Sequence, residues 1–358
     1  MKAILMLEDG KSFLGETEGL KGERIGEVIM NTVVVGYQEM ITDPANADKI
    51  LVLTYPLIGN YGCSPKFNES DNIWLAGLVI KEKSRIFSNW QAKESFDDFV
   101  KRHNLLSLYA VDTRTLAVHL RQKGSMLGII STNCFEAKEL LAKIKDFSKN
   151  KPLGLLAKIS TEKKKQLGLP GKKKIAILDL GITNSIIRQL ESLGLSLTIL
   201  PFNTTAEDIL RIKPKGLIIS GGPEEITELE KVAENIRPLI GKVPILGISS
   251  GNLVLAIVLG VKLNKLKTGH RGVNYPVQSP CSFKGEITVQ NHAYVLDPGS
   301  LLKIKGLKIT SYNLNDRTVE EIESRKLKIL GVQYAPSSPG FNEVHNVFNR
   351  FMKMLGRN

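Results

Sequence analysis

Two regimes of hydrophobic patterning divide the chain. In the first, short apolar runs alternate with polar turns. Ala3–Leu7, Ser12–Leu14, Glu27–Met30, Ile50–Thr54 and Trp74–Ile80 read as strands, with turns at Asp9-Gly10 and Asn60-Tyr61-Gly62. Phe96–His103 and Thr113–Lys123 read as helices. A mixed α/β domain is expected over residues 1–150, and it contains neither GxxxxGK[ST] nor GxGxxG.

In the second regime, continuous apolar runs alternate with amphipathic stretches. Ile175–Leu178, Leu197–Leu200, Leu217–Ile219, Pro244–Ile248 and the late Ile329–Gln333 are buried strands by pattern. Thr183–Leu193, Thr205–Arg211, a segment around Ile236–Leu239 and Asn252–Leu259 are helical by pattern. Apolar strands alternating with helices predict a doubly wound, mainly parallel sheet covered on both faces, over residues 172–358. Between the regimes, residues 151–171 are rich in Lys, Gly and Pro and read as a linker. Ligands in open α/β sheets bind beyond the C-terminal strand ends. Ser220–Pro223, Ser249–Gly251 and the region after Gln333 therefore point at one site.

A length of 358 residues agrees with two domains. No run approaches the ~18 apolar residues of a membrane span. Ala3–Leu7 is followed at once by Glu8-Asp9-Gly10, too short and too quickly acidic for a signal peptide, so a cytoplasmic location is expected. The three cysteines, Cys63, Cys134 and Cys281, form no CxxC pair and read as structural thiols. The five histidines show no ligand spacing, so no metal is expected. The formal charge of +13 is spread along the chain, with runs at Lys163-Lys164-Lys165 and Lys172-Lys173-Lys174. No nucleic-acid motif accompanies it, and solvated linker charge accounts for it, with docking to an acidic partner as the alternative.

Chemistry concentrates at Pro244-Ile245-Leu246-Gly247-Ile248-Ser249-Ser250-Gly251-Asn252-Leu253. A strand entering a helix, with glycines two residues before and after Ser249, is a nucleophile-elbow pattern. A serine there needs a base, because its hydroxyl is hardly ionised at neutral pH. The later strand end, Val332-Gln333-Tyr334-Ala335-Pro336-Ser337-Ser338-Pro339-Gly340, offers neither histidine nor carboxylate. His270 and His292 are the remaining candidates, each in its own polar turn.

The residues of both halves resemble the small, glutamine-hydrolysing subunit of carbamoyl-phosphate synthase along essentially the whole chain. In the first half the resemblance rests on Leu7-Glu8-Asp9-Gly10, Gly26-Glu27-Val28, Asn31-Thr32 and Gly36-Tyr37-Gln38-Glu39. Thr42-Asp43-Pro44, Leu53-Thr54-Tyr55-Pro56, Ile58-Gly59-Asn60, Gly77–Ile80, Lys101–Asn104 and Asp112-Thr113-Arg114 add to it. The second half resembles a class I glutamine amidotransferase domain through Ser220–Pro223, Gly247–Asn252, Gly269–Asn274, Gln290-Asn291-His292, Asn313–Asp316 and Val332–Tyr334 leading to Ser338-Pro339-Gly340.

Where the family reads Gly-Ile-Cys-Leu-Gly-His-Gln, Ser249 stands at the nucleophilic cysteine, Ser250 at the leucine and Leu253 at the glutamine. Where it reads His-Pro-Glu-Ala-Ser-Pro-Gly, Ala335 stands at the base. The glutamate is replaced by Ser337 or lost, the segment being one residue shorter. In the implied glutamine pocket, Val33 replaces a serine, Glu224 a glycine, and Ala293-Tyr294 a Gly-Phe pair, while Gly222 and Asn291 match. The resemblance thus implies a degenerate member with no intact catalytic Cys-His-Glu.

The expected role is a small subunit unable to hydrolyse glutamine that supports ammonia-dependent carbamoyl phosphate synthesis by the large subunit. ATP, bicarbonate and Mg would be bound only on that subunit, and a higher oligomer of heterodimers is possible for such a pair. No cofactor is expected on this chain, and neither nucleic acid nor membrane as partner. The alternative is a free-standing pseudo-amidotransferase with a structural or regulatory ligand-binding role. A serine hydrolase using Ser249 with His270 or His292 is the third reading. Whether the product feeds arginine or pyrimidine synthesis is not written in the sequence.

Overall fold

The computed structural model describes residues 1–18, 20–168, 173–280, 282, 285–340 and 343–356. These divide into two compact units, Met1–Leu153 and Gly154–Asn358. Cys281, Lys172 and the last residues of the expected linker, 169–171, lie outside the described residues.

The first unit is built on a seven-stranded sheet in the order Ser12–Glu16, Lys2–Leu7, Met126–Ser131, Glu23–Asn31, Lys49–Leu53, Gly77–Val79, Ser107–Leu108. Period-two alternation assigns its two faces. Ala3, Leu5 and Leu7 enter one core with Val28, Val52 and Leu116. Ile4 and Met6 face the other way, onto Leu140 and Ile144 of the Ala137–Lys149 helix. Helix starts follow ordinary capping: Ser95 accepts from the amide of Asp98, and Asp112 from that of Thr115. The strand expected over Trp74–Ile80 is confined to Gly77–Val79. Met126–Ser131, which fills the sheet between two antiparallel neighbours, was not anticipated from the pattern.

In the second unit a ten-stranded sheet runs Lys165–Gly168, Ser196–Pro201, Lys174–Asp179, Gly216–Ile219, Ile245–Ile248, Ile329–Val332, Val319–Ser324, Lys308–Asn313, Leu263–Gln278, Gly285–Leu296. The strands from Ser196–Pro201 to Ile329–Val332 are mutually parallel. Both faces are covered. Ala176, Leu178, Leu217, Ile219 and Ile245 pack on one side. Ile175, Ile177, Ile218, Leu246 and Ile248 pack on the other. Two-sided burial is why these strands read as unbroken apolar runs. The antiparallel extension beyond Ile329–Val332 was not anticipated, because its strands are half-exposed and mix polar with apolar residues.

The stretch expected to be a linker carries structure. Leu155–Ile159 is a short helix and Lys165–Gly168 an antiparallel edge strand on Ser196–Pro201. The buried Glu228 carboxylate accepts from the amides of Gly154, Leu155 at 3.0 Å and Leu156 at 2.8 Å. A carboxylate on the free amides of a helix start complements both their hydrogen-bonding capacity and their partial positive charge. Glu228 lies far along the chain, so composition alone gave no sign of it.

Candidate active site

The C-terminal ends of three parallel strands place Ser220–Pro223, Ser249 and Gln333–Ser337. Ser249 joins the Ile245–Ile248 strand to the Ser250–Val258 helix with φ 50° and ψ −111°. A side-chain-bearing residue at such φ costs ~1–3 kcal/mol and persists only where its surroundings dictate it. Here the constraint is visible. The Ser249 amide donates to the Val332 carbonyl at 2.8 Å. A Cβ on Gly251 would stand 2.1 Å from the Ile219 carbonyl oxygen, and one on Gly247 2.6 Å from that of Gly251. The two glycines of the elbow pattern are therefore demanded by backbone approach. Gly222 is as constrained, since a Cβ there would stand 1.8 Å from the Leu180 carbonyl oxygen.

An elbow is thus built, and among the described residues no histidine hydrogen-bonds Ser249. Ala335 occupies the expected base position, and its amide donates to the Val289 carbonyl at 2.9 Å. Ser337 is exposed and carries no carboxyl group. The histidines of this unit are engaged elsewhere. His270 Nε2 pairs with Asp316 at 2.8 Å. His292 sits between the Tyr294 carbonyl at 3.0 Å and Gln290 Oε1 at 2.6 Å. His345 Nδ1 accepts from the Val347 amide at 3.2 Å, and its Nε2 meets Glu286 at 2.7 Å. Among the described residues none of them hydrogen-bonds Ser249. Burial drives the pKa of His292 well below the usual imidazole range.

The remaining positions named from the sequence separate into three groups. Leu253 is 0% exposed and packs in the core beneath the helix, so it is no pocket wall. An apolar side chain gains more from that core than from the rim. Val33 belongs to the first unit, where it is buried and its amide is held by Asn31 Oδ1 at 3.1 Å. Ser250, Gly222, Glu224, Ala293 and Tyr294 are brought together by hydrogen bonds. Ser250 donates its hydroxyl to the Gly222 carbonyl. Glu224 accepts from the Ala293 amide through Oε2 at 2.6 Å and from the Tyr294 amide through Oε1 at 3.2 Å. Asn291 is half-buried on the same strand as Ala293 and Tyr294.

The Glu224 contact takes up two neighbouring backbone amides. Two consecutive backbone amides converging on one point make an anion site. In this chain that site is filled by an internal carboxylate. Bulk and charge at position 224 were visible in the sequence, but the partners of the carboxylate were not. A further pair went unnoticed: Asn252, fully buried in the elbow helix, donates to Gln333 Oε1 at 2.9 Å, and Gln333 donates to the Tyr294 carbonyl at 3.1 Å. These bonds tie the elbow helix to the strand end and to the strand that carries the filled amides.

Comparison with known proteins places both halves. The family model described as "Carbamoyl-phosphate synthase small chain, CPSase domain" matches residues 5–130. "Glutamine amidotransferase class-I" matches residues 176–354. A carbamoyl phosphate synthase small chain from Syntrophotalea carbinolica is 37% identical, over 100% of this chain and 99% of that one. One from Chlorobaculum tepidum is 38% identical, over 99% and 98%. Among solved structures, a glutamine amidotransferase from Thermotoga maritima is 17% identical, covering 51% of this chain and 79% of that one, with a TM-score of 0.36.

Proposed function

The chain belongs to the carbamoyl-phosphate synthase small-chain family, with a class I glutamine amidotransferase domain as its second half, and from that premise we propose that it serves as a small subunit silent in glutamine hydrolysis. In this reading it supports a large subunit that makes carbamoyl phosphate from free ammonia.

The observation that carries the reading is the pairing of an empty base position with a filled anion site. Ser249 stands at a built elbow, yet Ala335 offers no proton acceptor. Without a base a serine hydroxyl stays protonated and is a poor nucleophile. At the same time Glu224 holds the Ala293 and Tyr294 amides that a substrate carboxylate would need. A zwitterionic amino acid entering there would have to displace a covalently tethered competitor and meet its negative charge. Backbone donors around the elbow stabilise an oxyanion only once a nucleophile has attacked, so they do not rescue turnover. The intact strands, caps and glycine contacts of both units support a subunit kept for its fold and its partner.

The test is to co-purify the full chain with its large subunit and to assay carbamoyl phosphate synthesis with glutamine and with ammonium as nitrogen donors. Synthesis with ammonium and none with glutamine is expected. Comparable rates with both donors would sink the reading. A chain that fails to associate with the large subunit would favour a free-standing ligand-binding role instead.

A further inference from the structure

Outside the elbow, one polar cluster has a hydrogen-bond inventory that does not close. His270 lies on Leu263–Gln278 and His292 on Gly285–Leu296, where the two are direct cross-strand partners. Glu320 comes from Val319–Ser324 and is 0% exposed. One ligand atom from each of these three side chains lies within 4.8 Å of the other two.

His292 has too many acceptors. The Tyr294 carbonyl can only accept, so Nδ1 must carry a proton toward it. Gln290 turns its amide nitrogen to Glu320 Oε2 at 2.9 Å and to Thr288 Oγ1 at 3.1 Å, which leaves its oxygen facing His292 Nε2. In a neutral ring, Nε2 and Gln290 Oε1 then face each other lone pair to lone pair at 2.6 Å. His270 has the opposite defect. Its Nε2 is held by Asp316, whereas the buried Nδ1 has no hydrogen-bond partner. Nδ1 stands 3.9 Å from Glu320 Oε1, too long for a hydrogen bond.

A cation at the centre resolves each defect at once. We propose that His270 Nδ1, His292 Nε2 and a Glu320 carboxylate oxygen form a binding site for a divalent transition-metal ion of the zinc class, with Gln290 Oε1 at hand as a fourth oxygen ligand. Two imidazoles and a carboxylate suit zinc. The outer contacts are those that orient metal-bound histidines: a carboxylate, Asp316, on the far nitrogen of His270, and a backbone carbonyl, Tyr294, on that of His292. Asn313 Nδ2 fixes Glu320 Oε1 at 2.9 Å. Arg271 adds positive charge beside His292, and the carboxylates of Glu320 and Asp316 offset it.

The site would be structural. It sits on the antiparallel extension, is closed to solvent, and would pin three strands of that extension together. Sequence spacing could not reveal it, because each ligand comes from a different strand.

The experiment is a cobalt titration of the full-length chain, read by visible absorption, with zinc content after gel filtration measured by elemental analysis. One equivalent of bound metal is expected, with the intense d–d bands of a low-coordinate cobalt site. H270N and E320Q are each expected to lose the bands and the stoichiometric zinc, while H103N, in the first unit, keeps both. Circular dichroism establishes that each variant is folded, and the two ligand variants serve as alternates if one is not. A wild-type chain that takes up no equivalent overturns the proposal. Gln290 would then present its nitrogen to His292, with Glu320 protonated. Equal binding by wild type, H270N and E320Q overturns it as well.

Discussion

Glu224 and Ala293 are joined by a 2.6 Å hydrogen bond in which a side-chain carboxylate takes the backbone amide beside the elbow. The neighbouring amide of Tyr294 binds the same carboxylate at 3.2 Å. Glu224 therefore satisfies two neighbouring amides with one carboxylate.

Removing that carboxylate is expected to free the amides. In E224G, glutamine or glutamate binding should rise from undetectable to a dissociation constant on the order of millimolar, measured by calorimetry. Loss of the two charge-assisted bonds should lower unfolding stability by about 1–3 kcal/mol. No gain in binding would show that the amides are closed by something besides Glu224.

Restoring the thiol alone is not expected to restore hydrolysis. S249C gains a better nucleophile, but Ala335 still supplies no base and Glu224 still fills the amides. Ammonia release from glutamine should stay at background in S249C. It should become measurable only in S249C/A335H/E224G, which returns a nucleophile, a base position and an open pocket.

The elbow glycine has no room for a methyl group. G251A places Cβ 2.1 Å from the Ile219 carbonyl oxygen, which is backbone and cannot swing away. Destabilisation of at least about 2–3 kcal/mol is expected in chemical denaturation. G241A, at a half-buried turn with open space for a Cβ, should lose less, its cost coming from φ +79° alone.

One carboxylate makes acid stability predictable in sign. Glu286 is held below its ordinary range chiefly by the hydrogen bond from His345, which the opposing effect of burial does not cancel. His345 in turn caps the Asn346–Met354 helix through Nδ1. A depressed folded-state pKa stabilises the native state above the unfolded value of 4.5 and loses that stabilisation as pH falls through the folded value. E286Q should flatten the decline of the thermal midpoint below about pH 4.5 while changing little near neutrality.

Burial also separates the cysteines. The Cys63 thiol is pushed up to about 12 by desolvation, with the nearby Glu94 adding to the effect. Native alkylation followed by peptide mass spectrometry should modify the half-buried Cys134 and leave Cys63 unmodified until denaturant is added.

Much of this protein was legible from its sequence, for reasons that differ by element. Strands buried on both faces, such as Ile175–Leu178, announce themselves because every residue must be apolar. The elbow was legible because close backbone approach forces glycine at 247 and 251. The alanine at position 335 needed nothing beyond reading the residue. The half-exposed strands Leu263–Gln278 and Gly285–Leu296 stayed hidden, since a single buried face and irregular register leave no clean period. The helix at Leu155–Ile159 stayed hidden because Glu228, distant in sequence, supplies the hydrogen bonds at its start.

What only the tertiary structure decided was which polar groups meet. A sequence lists the donors and acceptors of Glu224, His270, His292 and Glu320 but not their partners. Hydrogen bonds and metal contacts act over about 2–3 Å, and folding sets such distances between residues far apart in the chain. Residue identity therefore determined that a serine stands at position 249 and an alanine at position 335. Tertiary contact decided that Glu224 takes the Ala293 and Tyr294 amides, and that His270 and His292 gather beside Glu320.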